Sequence, residues 1–503
     1  MRKNLLSICA AALALALILT CLPFSVLAKT TEPLWTVPAG YNAHDFNKCA
    51  AFLEQTDENG VKNGAKLSET YDPNDPTTWG TYEQYLWDDE DNYTIVDAPR
   101  FEWENYGEGG LRISWIYIQD VDYDPDWGLC GELDLSNCSF LIELNCTDNF
   151  ITAIDVTGCD VLAAVNASYN LLTGIDVSDC PELGRLEVSG NQLSELDVSH
   201  NPGLQTLFCP ENMIAELDVS ACPMLATLVC YSNQLTELDV SHNPDISCLD
   251  CDDNMLTELD ISHNPALEVF YCSANMLTEL EVTANPLLYI LNCYDNGLTE
   301  LDLSNNPDMT ELDVGMNALT ELDVSGLAVL TYLSCEGNLL TELDLLSNTE
   351  LNAVNCYDNP LKNIALPDSP LFPMQVLRAE GNGAVGFSYS EWETFTAYAY
   401  QGPGAEFLGW YDDEGGFISY DSAFEASGLA VLELIARFEG GEIPGDMNGD
   451  GAVDISDALS ILRAAMGLVT ATPGQIAACD MDGDGMLTVA DALQVMRMAM
   501  GLI

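Results

Sequence analysis

Residues 204–224 read LQTLFCPENMIAELDVSACPM, and residues 225–245 repeat the pattern as LATLVCYSNQLTELDVSHNPD. In the first copy, apolar Leu207 and Cys209 stand two apart, which is typical of a short strand, and Asn212 follows at a turn. Equivalent asparagines recur every 21 residues at Asn149, Asn170, Asn191, Asn212, Asn233, Asn254, Asn275, Asn296, Asn317, Asn338 and Asn359. This period predicts a solenoid of stacked coils with parallel strands, roughly 50 Å long at a strand spacing of about 4.8 Å.

The second half of each repeat, for example residues 235–243, has a similar apolar spacing and ends at Asn243. We therefore expect two similar strands in each coil, on opposite sides of one continuous core. The pattern is that of the leucine-rich repeat. It sets the fold class as mainly β.

Cysteines follow the same period. Eight of them stand three residues before a turn asparagine: Cys146, Cys209, Cys230, Cys251, Cys272, Cys293, Cys335 and Cys356. Ala167, Val188 and Val314 fill the other places, so this column faces the core, where a free thiol behaves as a small hydrophobe. Side chains about 4.8 Å apart exceed the Cβ separation of about 3.5–4.5 Å in a disulfide, so we expect reduced thiols.

A second column lies at the other turn. There Cys138, Cys159, Cys180 and Cys222 alternate with Asn201, Asn243, Asn264 and Asn285. We expect each of these cysteines to replace an asparagine of a hydrogen-bond ladder.

With its cysteine column, the segment 130–365 resembles the cysteine-ladder leucine-rich repeats of internalin J and related Gram-positive surface proteins. The resemblance implies a curved solenoid used for recognition, because that family is adhesive or protein-binding. No wall-sorting motif of the LPxTG type occurs in the sequence. We therefore expect attachment by another route.

The repeats also predict two different surfaces. One carries recurring acidic pairs, such as Glu237 with Asp239, and is interpreted as a solubilising face. The other varies between coils, and tyrosine-rich surfaces are typical of protein interfaces. The predicted ligand-binding residues on it are Phe208, Tyr231, Tyr271, Tyr294, Tyr332 and Tyr357. A row of tyrosines is also suited to stacking on sugar rings, and a passive spacer is the third alternative.

Charge and the N-terminal segment limit the partners. Against 81 Asp plus Glu stand 14 Lys plus Arg, for a formal net charge of −67, which excludes nucleic-acid phosphates and anionic membrane surfaces as partners. Residues 1–28 have a basic start, an apolar run and a cleavage site at Ala28, as in a signal peptide. Cys21 leaves a lipoprotein as the alternative. No later stretch is apolar enough to span a bilayer, so no membrane insertion is expected.

Two regions flank the predicted solenoid, which we place at 128–382. The preceding region, 29–127, is interpreted as an N-terminal cap. It holds six of the eight tryptophans: Trp35, Trp79, Trp87, Trp103, Trp115 and Trp127. The following region, 383–440, alternates apolar and polar residues around Phe407-Leu408-Gly409-Trp410-Tyr411 and resembles the small β-rich B-repeat of internalin-like proteins.

Two loops near the C-terminus have the spacing of calcium ligands. Positions 1, 3, 5 and 12 are Asp446, Asn448, Asp450 and Asp457 in the first loop, and Asp480, Asp482, Asp484 and Asp491 in the second, 34 residues later. Position 7 is Ala452 or Met486, whose backbone carbonyl would complete the oxygen shell. Because Ca²⁺ needs six or more oxygens, we predict two calcium ions, one in each loop.

Each loop is followed by one predicted helix, over 456–468 and 490–502. Such duplicated half EF-hands resemble the type I dockerin over 443–503. The resemblance implies calcium-dependent folding and binding to a cohesin of a scaffoldin, in a cellulosome-like complex outside the cell. The residues that it assigns to cohesin binding are Ile455, Ser456, Leu462, Arg463, Val489, Ala490, Met496 and Arg497.

The sequence assigns no catalytic residue. His200, His242 and His263 occupy one repeat column, which leaves His44 as the one other histidine. We therefore predict a non-catalytic protein that binds a protein ligand, with a polysaccharide-binding accessory module as the alternative. An enzyme with an unrecognised catalytic site in the N-terminal region is the remaining alternative.

Overall fold

The structure is a computed structural model. It describes residues 35–87, 93–106, 110–118, 128–367, 372, 374–390, 393–402, 404–426, 431–440, 445–448, 453–469, 471, 473–481 and 486–500. Several predicted features lie outside these residues: the signal peptide, Trp127, Asp450, Ala452, Asp482 and Asp484.

The N-terminal region is built around an aromatic core. Its helices are α1 (Ala43–Leu53) and α2 (Asn63–Leu67), with a 3₁₀ turn at Pro76–Thr78. Helix α1 begins after Asn42, whose side chain accepts hydrogen bonds from the N–H groups of His44 and Asp45. Phe46 is fully buried, and its ring lies 5.1 Å from that of Trp79. Helix α1 therefore contributes its apolar side to a compact aromatic cluster.

The N-terminal strands lead into the solenoid. They are β1 (Thr81–Trp87), β2 (Tyr93–Pro99), β3 (Phe101–Asn105) and β4 (Leu111–Tyr117). Strands β1 and β2 form a two-stranded sheet, whereas β3 and β4 begin a sheet of 16 strands. The side chain of Asn63 donates to the carbonyl of Cys130 at 2.9 Å, so this region is also hydrogen-bonded to the first coil.

The coils supply short strands at the predicted period. They are β5 (Cys130–Asp134), β6 (Glu143–Asn145), β7 (Phe150–Asp155), β8 (Ala164–Asn166), β9 (Arg185–Glu187), β10 (Thr206–Phe208), β11 (Thr227–Val229), β12 (Cys248–Asp250), β13 (Val269–Tyr271), β14 (Ile290–Asn292), β15 (Glu311–Asp313), β16 (Tyr332–Ser334), β17 (Glu342–Asp344), β18 (Ala353–Asn355) and β19 (Asn363–Ala365). From β8 to β16, neighbours in the large sheet pair in parallel, each residue with the one 21 positions later. The predicted solenoid and its parallel register are confirmed.

The first asparagine ladder sets the turn after each strand. Asn212 donates from Nδ2 to the carbonyls of Val188, Cys209 and Pro210 at 2.9–3.1 Å, and its Oδ1 accepts the N–H of Leu193 at 3.0 Å. The residue before it, Glu211, has a φ of 54°, in the left-handed region. The ladder compensates this unfavourable backbone by satisfying both donors and acceptors of the turn.

The expectation of two strands in each coil is wrong for the middle coils. A ladder on the second side forms at the ends, where β5 pairs with β7 and β17 pairs with β19. Between them, the carboxylate of Asp239 accepts the N–H of Ser241 within its own coil at 2.9 Å, and equivalent Asp–Ser bonds recur. Local hydrogen bonds to the side chains and repulsion between stacked carboxylates both oppose a continuous sheet there.

The region after the last coil continues both sheets. Its strands are β20 (Val376–Glu380), β21 (Gly383–Ser390), β22 (Glu393–Gln401), β23 (Ala405–Asp412), β24 (Phe417–Ser419), β25 (Ala423–Glu425) and β26 (Glu433–Gly440). Strand β21 pairs antiparallel with β18, and β20 pairs antiparallel with β19. Its buried residues belong to the same core cluster as the coils. The predicted β-rich segment therefore extends the solenoid core.

Where the structure describes it, the C-terminal segment has three helices and a core of its own. They are α3 (Ile455–Ala465), α4 (Pro473–Cys479) and α5 (Val489–Ala499). The buried cluster contains Met447, Ala458, Ile461, Ala478, Cys479, Ala492 and Val495. Helices α3 and α5 begin at the capping boxes of Asp454 and Thr488, which places each helix directly after its loop, as predicted.

Candidate functional site

The strand face of the solenoid is its first candidate site. The middle residue of each short strand points into the core, as Leu207 and Phe270 do, so the flanking residues point outward. Phe208, Tyr271 and Tyr332 occupy such outward positions, whereas Tyr231, Tyr294 and Tyr357 follow their strands just before the turn. All six predicted ligand-binding residues are half-buried. They therefore form part of the surface with their rings partly supported by neighbouring coils.

Tyr357 differs from the other five. Its ring lies 5.8 Å from that of Tyr398 on β22, and Gly386 passes close against the backbone of Tyr357. The hydroxyl of Tyr400 accepts the N–H of Asp358 at 3.1 Å. Tyr357 therefore lies at the junction between the last coil and the following strands.

Half-buried carboxylates lie among these tyrosines. Burial raises the pKa of Asp252 to about 6, with a further contribution from the charge of Asp250, and Asp252 accepts the N–H of Ser273 at 2.5 Å. Burial also raises the pKa of Asp313 to about 6, and the nearby charge of Glu336 adds to the rise. The strand face thus offers aromatic rings together with hydrogen-bond acceptors, which suits a polar ligand.

The acidic face lies on the opposite side. It borders an open groove of about 2120 Å³, lined by residues such as Glu237, Asp239 and Asp260. The hydroxyl and N–H of Ser241 hold the pKa of Asp239 below its usual range. His242 hydrogen-bonds to the preceding Ser241 at 3.1 Å, and His200 and His263 repeat that contact. The histidine column is therefore part of the repeated turn.

The surroundings of His44 connect the N-terminal region with the first coil. Its Nε2 lies 2.8 Å from the carbonyl oxygen of Ser136. Asp45 is fully buried and paired with Arg112, with Oδ2 2.6 Å from Nε. Burial raises the pKa of the adjacent Cys138 thiol far above its usual range. With the carboxylate paired and the thiol protonated, this cluster has a structural role.

The first calcium loop ends at a buried carboxylate. Asp457, at position 12, is fully buried. Its Oδ1 accepts the N–H groups of Met447 and Asn448 at 2.9 and 3.1 Å, and its Oδ2 accepts that of Asp454 at 2.9 Å. These bonds fold the loop back onto the start of α3. Asp446, at position 1, is 8% exposed, so two carboxylates of the predicted set lie away from solvent.

The second loop repeats this arrangement 34 residues later. Asp491 is fully buried, and its Oδ1 accepts the N–H of Met481 at 2.8 Å. Its Oδ2 accepts the N–H and the hydroxyl of Thr488, both at 2.7 Å. Buried carboxylates in an all-oxygen donor set fit a hard divalent cation, because an uncompensated buried charge is costly. The described ligand residues thus fit Ca²⁺ in both loops.

Comparison with protein families identifies this segment. Residues 444–498 match the family model of the dockerin type I domain. The chain carries a type I dockerin. This match confirms the resemblance drawn from the two loops. Type I dockerins as a family bind calcium and attach proteins to cohesins. A search of curated proteins gives no match.

Several solved structures are similar to the solenoid. The functional domain of InlJ from Listeria monocytogenes, which includes a cysteine ladder, aligns at 25% identity over 61% of this chain and 90% of its own, with a TM-score of 0.34. YopM from Yersinia enterocolitica aligns at 27% identity over 48% and 52%, with a TM-score of 0.41. An internalin (inlF) from Listeria monocytogenes aligns at 15% identity over 50% and 81%, with a TM-score of 0.38. The leucine-rich-repeat fold is assigned from the 21-residue period and the parallel strand pairing of the coils themselves.

The helices of the dockerin present an exposed apolar side. Among the predicted cohesin-binding residues, Ile455, Ser456, Arg463, Val489, Ala490 and Arg497 are exposed. Leu462 and Met496 are half-buried and pack partly against the dockerin core. Sequence reasoning missed Leu459 and Leu493, which are 45% and 50% exposed at the same place on α3 and α5. Their spacing of four residues from Ile455 and Val489 was the available signal.

The two halves of the dockerin are equivalent in exposure as well as in sequence. Met466 and Met500, one turn beyond each half-buried residue, are 55% and 52% exposed. Each helix therefore offers an apolar surface of similar composition and place.

Within the described residues, no helix has the length and apolar character needed to cross a membrane.

Proposed function

We propose that this chain is a secreted, non-catalytic recognition protein that a calcium-loaded dockerin fastens to a cohesin of a scaffoldin. The solenoid would bind a protein ligand through its strand face, and one Ca²⁺ would occupy each dockerin loop. The observation that carries the proposal is the pair of equivalent exposed apolar helix sides, each next to an equivalent buried carboxylate. Outside the cell, a scaffoldin would hold the protein at the cell surface.

The chemistry of the two loops would couple calcium binding to cohesin binding. Asp457 and Asp491 connect each loop to the first turn of the helix that follows it. Calcium in the loop would therefore fix the helix, and with it the exposed side that contains Leu459 or Leu493. Because both halves have this arrangement, either helix is suited to dock.

The cohesin arm is tested with the full chain and a panel of cohesins. Leu459→Glu and Leu493→Glu each disable one helix, so each single variant should bind within about threefold of the unchanged protein, and the double variant should lose more than about tenfold. Leu432→Glu, at a leucine that is 59% exposed outside the dockerin, is the matched control. Chelation of calcium should abolish binding. Full binding by the double variant, or by the chelated protein, would refute this arm.

The ligand arm is tested on the strand face. Tyr271→Ala combined with Tyr294→Ala should weaken capture of a protein ligand by about tenfold, since both rings leave the surface. Tyr420→Ala, at a tyrosine 76% exposed and outside the coils, is the control. The immobilised chain is presented to a protein library and to a polysaccharide array. Ligand capture that is unchanged in the double variant would show that another surface binds.

A further inference from the structure

The N-terminal end of the strand face differs from the tyrosine-bearing coils. On β4, Trp115 and Tyr117 flank the buried Ile116, so both point outward, and both are half-buried. Their rings are parallel within 9°, with centroids 6.1 Å apart. Two parallel rings held side by side on a regular strand form a rigid aromatic surface.

A small depression lies beside this aromatic pair. It has a volume of about 60 Å³ and is lined by Glu143, Asn145, Ala164, Val165, Asn166 and Arg185. In register, Trp115 is followed by Glu143, Ala164 and Arg185 on successive strands. Because Ala164 is the small residue between two long side chains, the depression lies above it.

The polar groups around the depression are fixed in place. Asn166 donates to Glu187, and Arg185 donates from Nε to Glu187 at 2.5 Å. On the other side, burial raises the pKa of Glu143, and the hydroxyl of Tyr117 together with the charge of Arg185 partly offsets that rise. Amide, carboxylate and guanidinium groups thus line a shallow site with apolar rings at one end.

This combination has the chemistry of a carbohydrate subsite. One face of a sugar ring presents C–H groups, which pack on an aromatic ring, while its hydroxyls need fixed donors and acceptors. A volume of about 60 Å³ admits a few waters or one hydroxymethyl group. It is far below the roughly 300–1,000 Å³ of a pocket that encloses a ligand. The ligand would therefore lie along the surface and insert one substituent.

Charge selects among carbohydrates. Arg185 is paired with Glu187, so its charge is already compensated, and Glu143 leaves the site acidic. The chain as a whole carries a formal net charge of −67. Both facts oppose sugars that carry carboxylates, sulfates or phosphates. From β4 to β9 there are three strand spacings, roughly 14 Å, which is long enough for more than one sugar ring.

We infer that Trp115, Tyr117 and the depression above Ala164 bind a neutral polysaccharide chain. The site lies outside the tyrosine-bearing coils on which the proposed protein recognition rests. It gives the protein a second ligand class on the same sheet. One end of the strand face would hold a neutral glycan while the coils beyond it remain available to a protein.

The full chain with calcium is titrated with cellohexaose, xylohexaose and mannohexaose as neutral probes and with hexagalacturonate as the anionic probe. Calorimetry should detect at least one neutral hexasaccharide, and the anionic probe should bind about tenfold more weakly or not at all. Trp115→Ala with Tyr117→Ala should weaken the neutral probe by about tenfold. Trp115→Phe with Tyr117→Phe keeps an aromatic ring at each position and should retain more of the affinity than the alanine variant.

A matched pair of variants separates the site from general effects on the fold. Residues 164–166 and 353–355 both read Ala-Val-Asn, and both form short strands of the large sheet. Ala164→Leu fills the depression without touching the rings and should weaken the neutral probe about tenfold, whereas Ala353→Leu should leave it unchanged. Circular dichroism confirms that each variant is folded.

The inference is overturned if no neutral probe binds, if the anionic probe binds as well as the neutral ones, or if Ala164→Leu and Ala353→Leu have equal effects. Loss of hexasaccharide binding in the Tyr271→Ala, Tyr294→Ala variant but not in the Trp115 variants would also refute it. Protein capture is measured separately with the same variants. A failure of the proposed protein recognition would therefore be distinguished from a failure of hexasaccharide binding.

Discussion

The backbone N–H of Leu235 donates to Oδ1 of Asn254 in the next coil at 3.0 Å. Asn254 also donates to three carbonyls, so its side chain is satisfied as both donor and acceptor. Asn264, in the second ladder, donates to the carbonyls of Val240 and Asn243 at 3.0 and 2.9 Å. Its buried Oδ1 has no partner within the described residues. The two ladders therefore make different demands on the residue that occupies them.

This difference predicts opposite tolerance for the same substitution. Asn254→Cys removes the acceptor of the Leu235 N–H and should cost about 2–4 kcal/mol, because buried groups lose their partners. Asn264→Cys should cost about 1 kcal/mol, since a thiol also donates weakly to the same carbonyls, as Cys222 does to Val198 at 3.5 Å. Denaturant unfolding of the full chain measures both, and equal losses would contradict the account.

The sequence predicted the second ladder from the alternation of Cys180 and Cys222 with Asn201, but not the reason for it. Cysteine is tolerated in the second ladder because the Asn Oδ1 there accepts no N–H from the described residues. Whether that oxygen has a donor depends on the coil geometry at each turn. Likewise, the spacing of Leu238 and Val240 predicted a strand that the middle coils do not form. Apolar alternation reports which side chains are buried, whereas coil-to-coil pairing on that side also depends on Asp–Ser turns and charge repulsion.

The binding sites were predictable in part for a similar reason. The calcium loops have fixed spacing within one segment, so their residues could be assigned from the sequence. The inferred glycan site combines the rings of β4 with a depression lined by β6, β8 and β9, and the depression depends on which small residue lies between long ones. Such a combination becomes visible once the register is known.

Thiol reactivity should follow burial in the coils. Cys130 and Cys248 are half-exposed, whereas the other fourteen described cysteines are buried. Under native conditions, iodoacetamide should therefore modify these two first, and the buried column should react on the order of a hundredfold more slowly. Because burial raises the pKa of both thiols, their labelling should accelerate between pH 7 and pH 9.

Peptide mapping by mass spectrometry locates the label after a timed exposure. Cys248→Ser is the control, because it should remove one labelled site without changing the rate at Cys130. Early modification of Cys251 or Cys272 would show that the coils open more readily than their burial indicates.

Asp252 and Asp313 should make stability depend on pH. Burial raises the pKa of each to about 6, above the usual value near 4. Their contribution to stability is therefore fully present below about pH 4 and is lost as the pH rises through about 6. Asp252→Asn with Asp313→Asn should have little effect at pH 4. At pH 8 the double variant should gain on the order of 1–2 kcal/mol in the free energy of unfolding, seen as a higher melting temperature.

The comparison with an acidic-face carboxylate provides the control. The hydrogen bonds of Ser241 lower the pKa of Asp239, so its contribution has the opposite sign. Asp239→Asn should not raise the melting temperature at pH 8. Thermal scans of each variant and of the unchanged protein are run at pH 4, 6 and 8. They separate the effect of burying Asp252 and Asp313 from the effect of reducing the net negative charge. A gain in the double variant that is equal at all three pH values would contradict the assignment.

Asp457 should decide calcium binding in the first loop. It accepts three backbone N–H groups while fully buried, so the amide of Asp457→Asn would place an N–H₂ group against N–H donors and remove a negative charge. We expect calcium affinity at that loop to fall by more than about tenfold, while the loop that ends at Asp491 still binds. Calorimetric titration of the full chain should then detect one tight site in place of two.

Asp412→Asn is the matched control, since Asp412 also accepts backbone N–H groups, from Glu414 and Gly416, in a turn outside the dockerin. Unchanged calcium binding in Asp457→Asn, or an equal loss in Asp412→Asn, would contradict the role assigned to this carboxylate.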